Sequence, residues 1–225
     1  MLSRTAIQAV SSHRASPQRA VSPQQGTGAI GLMGAIMPFM RNAEIYGEGE
    51  PAEYLYKVVS GVVRTSKVLT DGRRQIGAFY MPGDLFGLEV GDEHAFSAEA
   101  LCEAKIIVIK RSAVHALAAR DNAIAQELWS STARELHHAQ ERLLLLVKSA
   151  EERVAGFILE MARRGRSAEV IELPMSRQDI ADYLGLTIET VSRTFTHLEN
   201  STVIAVPTAR RIEIRSAAAL KRLNA

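Results

Sequence analysis

Cysteine is nearly absent from this sequence, since Cys102 is the only one among 225 residues. An intrachain disulfide is therefore excluded, and so is a metal site built from several cysteines. Long apolar runs are also missing: the densest, Leu143 to Val147, falls far short of the roughly 20 residues that a membrane-spanning helix needs. The first residues carry no continuous apolar core, which predicts a protein without a signal peptide and located in the cytoplasm.

A clear excess of positive charge is missing as well, because 27 basic residues face 25 acidic ones and the net charge is only +2. A strongly basic composition is typical of nucleic-acid-binding proteins. Any DNA-binding hypothesis therefore depends on where the arginines lie. The sequence also lacks the G-x-S-x-G, Walker and H-E-x-x-H motifs of common enzyme classes. We expect neither an enzyme nor a bound metal or cofactor.

Residues 1–40 have the composition of a flexible N-terminal tail. Residues 11–28, SSHRASPQRAVSPQQGTG, are rich in Ser, Gln, Pro and Gly and contain no acidic residue. Such a segment cannot bury enough apolar surface to offset the entropy lost on ordering. From Ile30 the chain turns apolar, which we interpret as a short helix leading into the first domain.

Residues 41–118 carry the signals of an antiparallel β domain. Short runs rich in Val, Ile, Tyr and Phe alternate with Gly, Pro and Asp, namely YLYKVVSG, VVRTSKVL, RQIGAFYM, FSAEAL and KIIVIK. The pair Asp71-Gly72 is a strong hairpin signal, because both residues tolerate the positive φ of a tight turn. Several short strands at even spacing predict a small β-roll or jelly roll.

Residues 119–149 are predicted to form one long helix. Apolar or small residues alternate at spacings of four and three, which makes a heptad stripe of Thr132, Leu136, Ala139, Leu143, Leu146 and Ala150. The stripe could pack only against its own β domain, or two chains could pair along it. We favour pairing because the stripe is longer than a single small domain could cover. It predicts a homodimer whose contacts are Leu136, Ala139, Leu143 and Leu146.

Residues 150–225 contain the pattern of a winged helix-turn-helix. Ser176 and Asp179 have the spacing of an N-terminal capping pair, and Gly185 can end the helix in a left-handed conformation. Thr187 then caps a second helix. Two helices joined by a tight turn that contains Gly are typical of this DNA-binding motif. The fold class expected for the whole chain is therefore α+β: an N-terminal antiparallel β-roll, a long dimerisation helix and a C-terminal winged helix-turn-helix.

The second helix of this motif is predicted to read DNA bases. Val191, Phe195 and Leu198 recur at helical spacing and should point inward. The outer face of the N-terminal half, which enters the major groove, then carries Ile188, Glu189, Ser192 and Arg193. Arginine can donate two hydrogen bonds to guanine, and glutamate can accept one from cytosine. The alternative is that the exposed Glu and Arg form an ordinary surface ion pair.

Other polar residues are predicted to contact the DNA backbone. They lie at helix N-termini, where side chains and backbone N–H groups suit phosphates, and they are Ser176, Arg177, Gln178 and Thr187. The following segment STVIAVPTARRIEIRS predicts two short strands around a turn, which form the wing. Arg210 and Arg211 near its tip could also reach phosphates.

The order of these segments resembles the CRP/FNR family of bacterial transcription regulators. The resemblance runs from about Arg41 to the C-terminus through PGDLFG, the long helix, SRQDIADYLGLTIETVSRTFTHLE and the wing. The E-x-x-S-R pattern is that of the FNR-like side, and the segment is similar to the FixK group from nitrogen-fixing and low-oxygen regulation. The resemblance implies an inverted repeat of TTGA or TTGC half-sites. It also implies activation through contact with RNA polymerase.

Two departures from that family bear on effector binding. CRP members hold the phosphate of cyclic AMP with an Arg-Ser pair, and the aligned residues here are His94 and Ala95. FNR members hold an iron–sulfur cluster on four cysteines, whereas this chain has Cys102 alone, interpreted as a buried structural thiol. We therefore expect DNA binding without a small-molecule effector. A cyclic-nucleotide-gated or haem-gated regulator remains an alternative, and so does a β-roll that serves only as a protein-interaction module.

Overall fold

The computed structural model describes residues 28–145, 147–165, 167 and 169–224. Within these residues the predicted α+β class is confirmed: an antiparallel β-roll precedes a long helix and a C-terminal helix-turn-helix. Most of the predicted tail, residues 1–27, lies outside the described residues. Among the helices of the described part, none combines the length and hydropathy that crossing a bilayer requires.

The β-roll is built from two four-stranded antiparallel sheets. Its elements are a short α1 (Gly28–Gly31) and the strands β1 (Ala35–Phe39), β2 (Glu44–Tyr46), β3 (Tyr54–Ser60), β4 (Val63–Val68), β5 (Arg74–Tyr80), β6 (Leu85–Phe86), β7 (Ser97–Ala100) and β8 (Ala104–Lys110). The strand orders are β1-β8-β3-β6 and β2-β7-β4-β5. The predicted hairpin at Asp71-Gly72 joins β4 to β5, and Gly72 has φ 81°.

The roll starts earlier in the chain than the predicted boundary at residue 41. Strand β1 pairs antiparallel with β8, from Ala35 opposite Val108 to Phe39 opposite Ala104. This strand was not predicted from the sequence because Pro38 lies inside it. Proline cannot donate to a sheet ladder, but it is tolerated on an edge strand, and β1 is at the edge of its sheet.

The predicted long helix is a single helix with narrower bounds, and a separate short helix precedes it at the end of the predicted β segment. Helix α2 (Arg111–Ala118) completes the roll, and α3 (Asn122–Leu145) is the long helix, which starts at residue 122 and not at 119. The side chain of Asp121 sets that start, because its Oδ1 accepts hydrogen bonds from the backbone N–H groups of Ala123 and Ile124. The helix therefore begins where its first free N–H groups find an acceptor.

The C-terminal unit, residues 150–224, is the part predicted to bind DNA and is called the DNA-binding unit; it packs four helices around a small three-stranded sheet. Its elements are α4 (Ala150–Arg164), β9 (Val170–Glu172), α5 (Arg177–Leu184), α6 (Ile188–Asn200), β10 (Ile204–Thr208), β11 (Arg211–Ile214) and α7 (Ala217–Leu223), with strand order β10-β11-β9. Both α4 and α5 begin with a capping box, formed by Ser149 with Glu152 and by Ser176 with Asp179. Helix α7 was not predicted; it is capped by Ser216.

The roll and the DNA-binding unit share one hydrophobic core. Ile76 and Phe79 of β5 are buried in the same cluster as the inner faces of α4 and α5. The ring of Phe79 lies 5.1 Å from that of Tyr183 and 6.4 Å from that of Phe157, centroid to centroid. Aromatic rings at such separations attract one another beyond the free energy of burial alone. The position of α5 relative to the roll is thus fixed by packing.

Replacement of Phe79 by alanine should destabilise the whole chain. Phe79 is fully buried between the two units, so we expect the free energy of unfolding to fall by about 3–5 kcal/mol in denaturant titrations. Val90 is fully exposed, and Val90→Ala serves as a control that should leave stability unchanged. If Phe79→Ala lowered the free energy of unfolding no more than Val90→Ala does, the two units would not share a core.

Candidate nucleic-acid interface

The turn between α5 and α6 has the geometry of a helix-turn-helix. Gly185 ends α5 with φ 63° and ψ 40°, the left-handed conformation that favours glycine. The N–H of Leu186 then donates to the Ala181 carbonyl at 3.0 Å. Thr187 starts α6, since its Oγ1 accepts a hydrogen bond from the Thr190 N–H at 3.2 Å. These local bonds hold the second helix across the first.

The four residues predicted to read bases lie together on the exposed face of α6. Val191, Phe195 and Leu198 are buried against α5 and α4. The opposite face of the first two turns is open to solvent and carries the side chains of Ile188, Glu189, Ser192 and Arg193. The structure thus brings this set together, and its base-reading role stays a prediction.

Local hydrogen bonds keep Glu189 in its ionised form. Bonds from its own backbone N–H and from the Thr187 side chain, together with the nearby charge of Arg193, hold the pKa of this carboxyl below its usual value. One turn further along, Arg193 Nε donates to the Glu189 carbonyl at 3.4 Å. The pair therefore offers an acceptor and a cation side by side on the same face.

The residues predicted to contact phosphates fall into two groups. Ser176, Gln178 and Thr187 are exposed at the starts of α5 and α6, while Arg210 and Arg211 are exposed at the tip of the wing. The wing itself is the hairpin of β10 and β11, as predicted. Helix N-termini and exposed arginines both favour phosphate oxygens. The structure thus gives each of these residues an accessible position.

Arg177 is held differently from the other predicted phosphate contacts. Its guanidinium carbon lies 3.5 Å from the centroid of the Phe195 ring, a cation–π stack that joins α5 to α6. Burial lowers the pKa of Arg177. Its Nη1 is buried and has no hydrogen-bond partner among the described residues. An anion that reached this atom would satisfy a donor that is otherwise costly to leave unpaired.

Two carboxylates of α5 are paired with arginines of the roll, a feature that the sequence analysis missed. Asp179 Oδ1 lies 2.5 Å from Arg64 Nη1 and 2.7 Å from Arg74 Nη2. Asp182 Oδ2 lies 2.6 Å from the same Arg74 Nη2. Burial disfavours the charged form of Asp179, but hydrogen bonds from Ser176 and the two arginine charges outweigh it and keep its pKa low. Asp179 therefore stays charged.

Aromatic rings fill the interior of the β-roll. His94 is only 2% exposed and stacks on Tyr46, with ring centroids 3.6 Å apart and an interplanar angle of 11°. Tyr56 and Phe86 pack beside Tyr46, and the ring centroids of Tyr56 and Phe86 lie 5.2 Å apart. Gly87, with φ 78°, ends β6 against Tyr56, and a Cβ there would come within 2.9 Å of that ring. The side chains themselves occupy this part of the interior.

The charges near His94 do not suit the phosphate of a cyclic nucleotide. His94 Nδ1 lies 3.4 Å from Glu89 Oε1, so the neighbouring group is an anion. The aligned Ala95 offers no hydroxyl. The nearby Arg111 donates its guanidinium hydrogens to the carbonyls of Glu89 and Gly91, each at 2.7 Å. Because like charges repel, these residues do not fit a cyclic-nucleotide phosphate.

The side chains that could hold a metal ion do not cluster in the described residues. In the described part of the chain, no three His, Cys, Asp or Glu side chains come together as a metal site. The expectation of a buried Cys102 was wrong, because the residue is partly exposed, in the bend between β7 and β8.

Both halves of the chain match known protein families. Residues 36–121 match the cyclic nucleotide-binding domain, and residues 152–223 match the Crp-like helix-turn-helix domain. The nitrogen fixation regulation protein FixK of Azorhizobium caulinodans is 49% identical over 201 residues, which cover 87% of this chain and 81% of the relative. The chain belongs to the CRP/FNR family of transcription regulators. Its resemblance to the FixK group is confirmed.

Other relatives in the CRP/FNR family agree. FixK of Rhizobium meliloti is 39% identical over 189 residues, covering 84% of this chain and 86% of the relative. The solved structure of FixK2 from Bradyrhizobium japonicum has a TM-score of 0.81 and 49% identity, covering 85% of this chain and 98% of that chain. Because these relatives are transcription regulators, the prediction that the chain is not an enzyme is confirmed.

Substitution of Arg193 and of Arg177 by alanine should separate base reading from phosphate contact. Arg193→Ala should cost about 1–3 kcal/mol of binding free energy and relax the preference at one guanine. Arg177→Ala should weaken binding to every duplex alike and lower the salt slope by about one per chain. Titrations of labelled duplexes over a salt series measure both quantities.

Arg120 provides a control for these substitutions, because it is exposed in the turn before α3. Arg120→Ala should leave both affinity and salt slope unchanged. If Arg193→Ala weakened binding to all DNA sequences equally, the assignment of Arg193 to a base would be wrong.

Proposed function

We propose that this protein is a homodimeric, sequence-specific DNA-binding activator of transcription that needs no small-molecule effector. It acts in the cytoplasm, where bacterial DNA lies, on inverted repeats of TTGA or TTGC half-sites. The exposed face of α6 carries the proposal, because it presents Glu189, Ser192 and Arg193 beside helix N-termini that are predicted to contact phosphates. This part of the chain belongs to a family of DNA-binding domains.

The chemistry of this face suits one guanine–cytosine pair next to thymines. Arg193 can donate two hydrogen bonds to guanine O6 and N7, and the ionised Glu189 can accept one from the cytosine amino group on the other strand. Ile188, at the start of the helix, is partly exposed and can contact a thymine methyl. Ser192 lies between them and can accept or donate. These contacts support a half-site of the TTGA or TTGC kind.

The exposed apolar face of α3 supports pairing of two chains. Trp129, Leu136 and Leu143 lie seven residues apart and are 77%, 60% and 65% exposed. Large apolar side chains in such a row are usually covered by a partner. Ala139 is half-buried on the same helix, and Leu146 lies outside the described residues. Two chains joined along α3 would present their α6 helices to successive major grooves, about 10 base pairs apart.

Two features of the roll support binding without an effector. Its interior is packed with Tyr46, Tyr56 and Phe86 around a buried His94. The anionic Glu89 beside that histidine opposes a nucleotide phosphate. The alternative is a regulator gated by cyclic nucleotide or haem. That alternative would require the roll to rearrange before a ligand could enter.

Relatives suggest the biological setting. Two relatives named above carry the name nitrogen fixation regulation protein. A third, 40% identical over 167 residues, is named transcriptional activatory protein AadR. We therefore propose a role in the control of nitrogen fixation genes, and activation through contact with RNA polymerase.

A titration without added ligand tests this proposal. The probe is a duplex with TTGA and TCAA half-sites whose centres lie about 10 base pairs apart, compared with a scrambled duplex at the same salt concentration. We expect two chains per duplex and at least about a thousandfold preference for the specific sequence. If both duplexes bound equally and a preference for the specific one appeared only after cyclic AMP or haem was added, effector independence would be contradicted. Equal binding under all conditions would contradict the half-site.

A further inference from the structure

Two carboxylates lie directly behind the predicted phosphate contacts of α5. Asp179 Oδ2 accepts a hydrogen bond from Ser176 Oγ at 2.8 Å, and Asp182 Oδ1 accepts one from Gln178 Nε2 at 2.6 Å. Each carboxylate is thus one hydrogen bond away from a side chain that is predicted to face DNA. A negative charge at that place repels phosphates unless it is neutralised.

Arginines from the roll pair with both carboxylates. Arg64, on β4, is shared between Asp179 and Glu99 of the roll. Among the described carboxylates, Arg74, at the start of β5, contacts only the two of α5, Asp179 and Asp182. Arg74 approaches Asp182 through two nitrogens, with Nε at 2.7 Å and Nη2 at 2.6 Å. The side chains of Asp179 and Asp182 are only 5% and 11% exposed. Salt in the solvent therefore screens these interactions weakly.

The pairing joins different parts of the chain. Arg74 lies more than a hundred residues before Asp179 in sequence, and the hydrogen bond between them crosses from the roll to the DNA-binding unit. The packing of Phe79 against Tyr183 holds the two units together beside these charges. The arginines therefore reach the carboxylates only while the roll is docked on α5. Loss of one partner would leave a buried, uncompensated charge.

We propose that Arg64 and Arg74 are positioning residues for DNA binding, which neutralise Asp179 and Asp182 so that the N-terminus of α5 can accept a DNA phosphate. The roll thereby sets the DNA affinity of α5 through charge rather than through a ligand. This inference rests on the proposed function, because it takes Ser176 and Gln178 as phosphate contacts. Neither arginine needs to touch DNA for the effect.

The neighbouring Arg73 provides a matched control on the same hairpin. It is exposed, and its guanidinium pairs with Asp71 at 2.7 Å rather than with α5. Arg73→Gln removes the same charge from the same hairpin as Arg74→Gln. Any effect of overall charge or of general attraction to DNA should therefore appear equally in both variants.

The experiment measures the DNA affinity of full-length variants by titration of the inverted-repeat duplex over a salt series. Arg74→Gln should weaken binding about tenfold relative to the wild type, whereas Arg73→Gln should leave affinity close to that of the wild type. The salt slope of Arg74→Gln should stay at the wild-type value, because no phosphate contact is lost. Asp182→Asn added to Arg74→Gln should restore most of the affinity, since the unneutralised carboxylate is gone.

Three results would overturn the inference. The first is equal DNA affinity of Arg74→Gln and Arg73→Gln, and the second is a loss of affinity in Arg74→Gln that Asp182→Asn fails to restore. The third is a salt slope of Arg74→Gln lower by about one per chain, which would indicate a direct phosphate contact. If Arg74→Gln melts too low for titration, Asp182→Asn alone decides: wild-type or tighter affinity supports the inference, and weaker affinity contradicts it. Failure of the proposed function is distinct, because the wild type would then show no preference for the inverted repeat.

Discussion

The docking of β5 against α5 is the contact on which the rest of the structure depends. Phe79 lies against Tyr183 and Phe157, so one hydrophobic core stabilises both the roll and the DNA-binding unit. Arg164 of α4 strengthens this contact, since its Nη2 donates to the Phe79 carbonyl at 2.8 Å and to Asp84 at 2.6 Å. The helix-turn-helix is therefore presented in one orientation, which a flexible linker alone would not provide.

Both local and distant interactions shape the surface that is predicted to bind DNA. Capping by Ser176 and Thr187, with the turn at Gly185, sets where α5 and α6 begin and end. Stacking of Arg177 on Phe195 then ties the two helices to each other. The roll contributes what these local bonds cannot, since its arginines pair with the carboxylates of α5. Charge balance at the interface is thus a property of the whole chain.

The sequence could predict the features that depend on neighbouring residues. The hairpin at Asp71-Gly72, the cap at Ser176 and the inner face of α6 all follow from local spacing. Strand β1 was missed because Pro38 weakens a strand signal, and only pairing with β8 reveals it. The contacts of Asp179 with the roll could not be predicted, because no local pattern links residues so far apart in sequence.

A series of half-site spacings tests the central claim most directly, because the claim is that two α6 helices are held at a fixed separation. Affinity should be highest when the half-site centres lie about 10 base pairs apart and should fall when about five base pairs are inserted, since the insertion turns one half-site to the opposite face of the duplex. Equal affinity at every spacing would contradict the account, because it would mean that the two recognition helices bind independently.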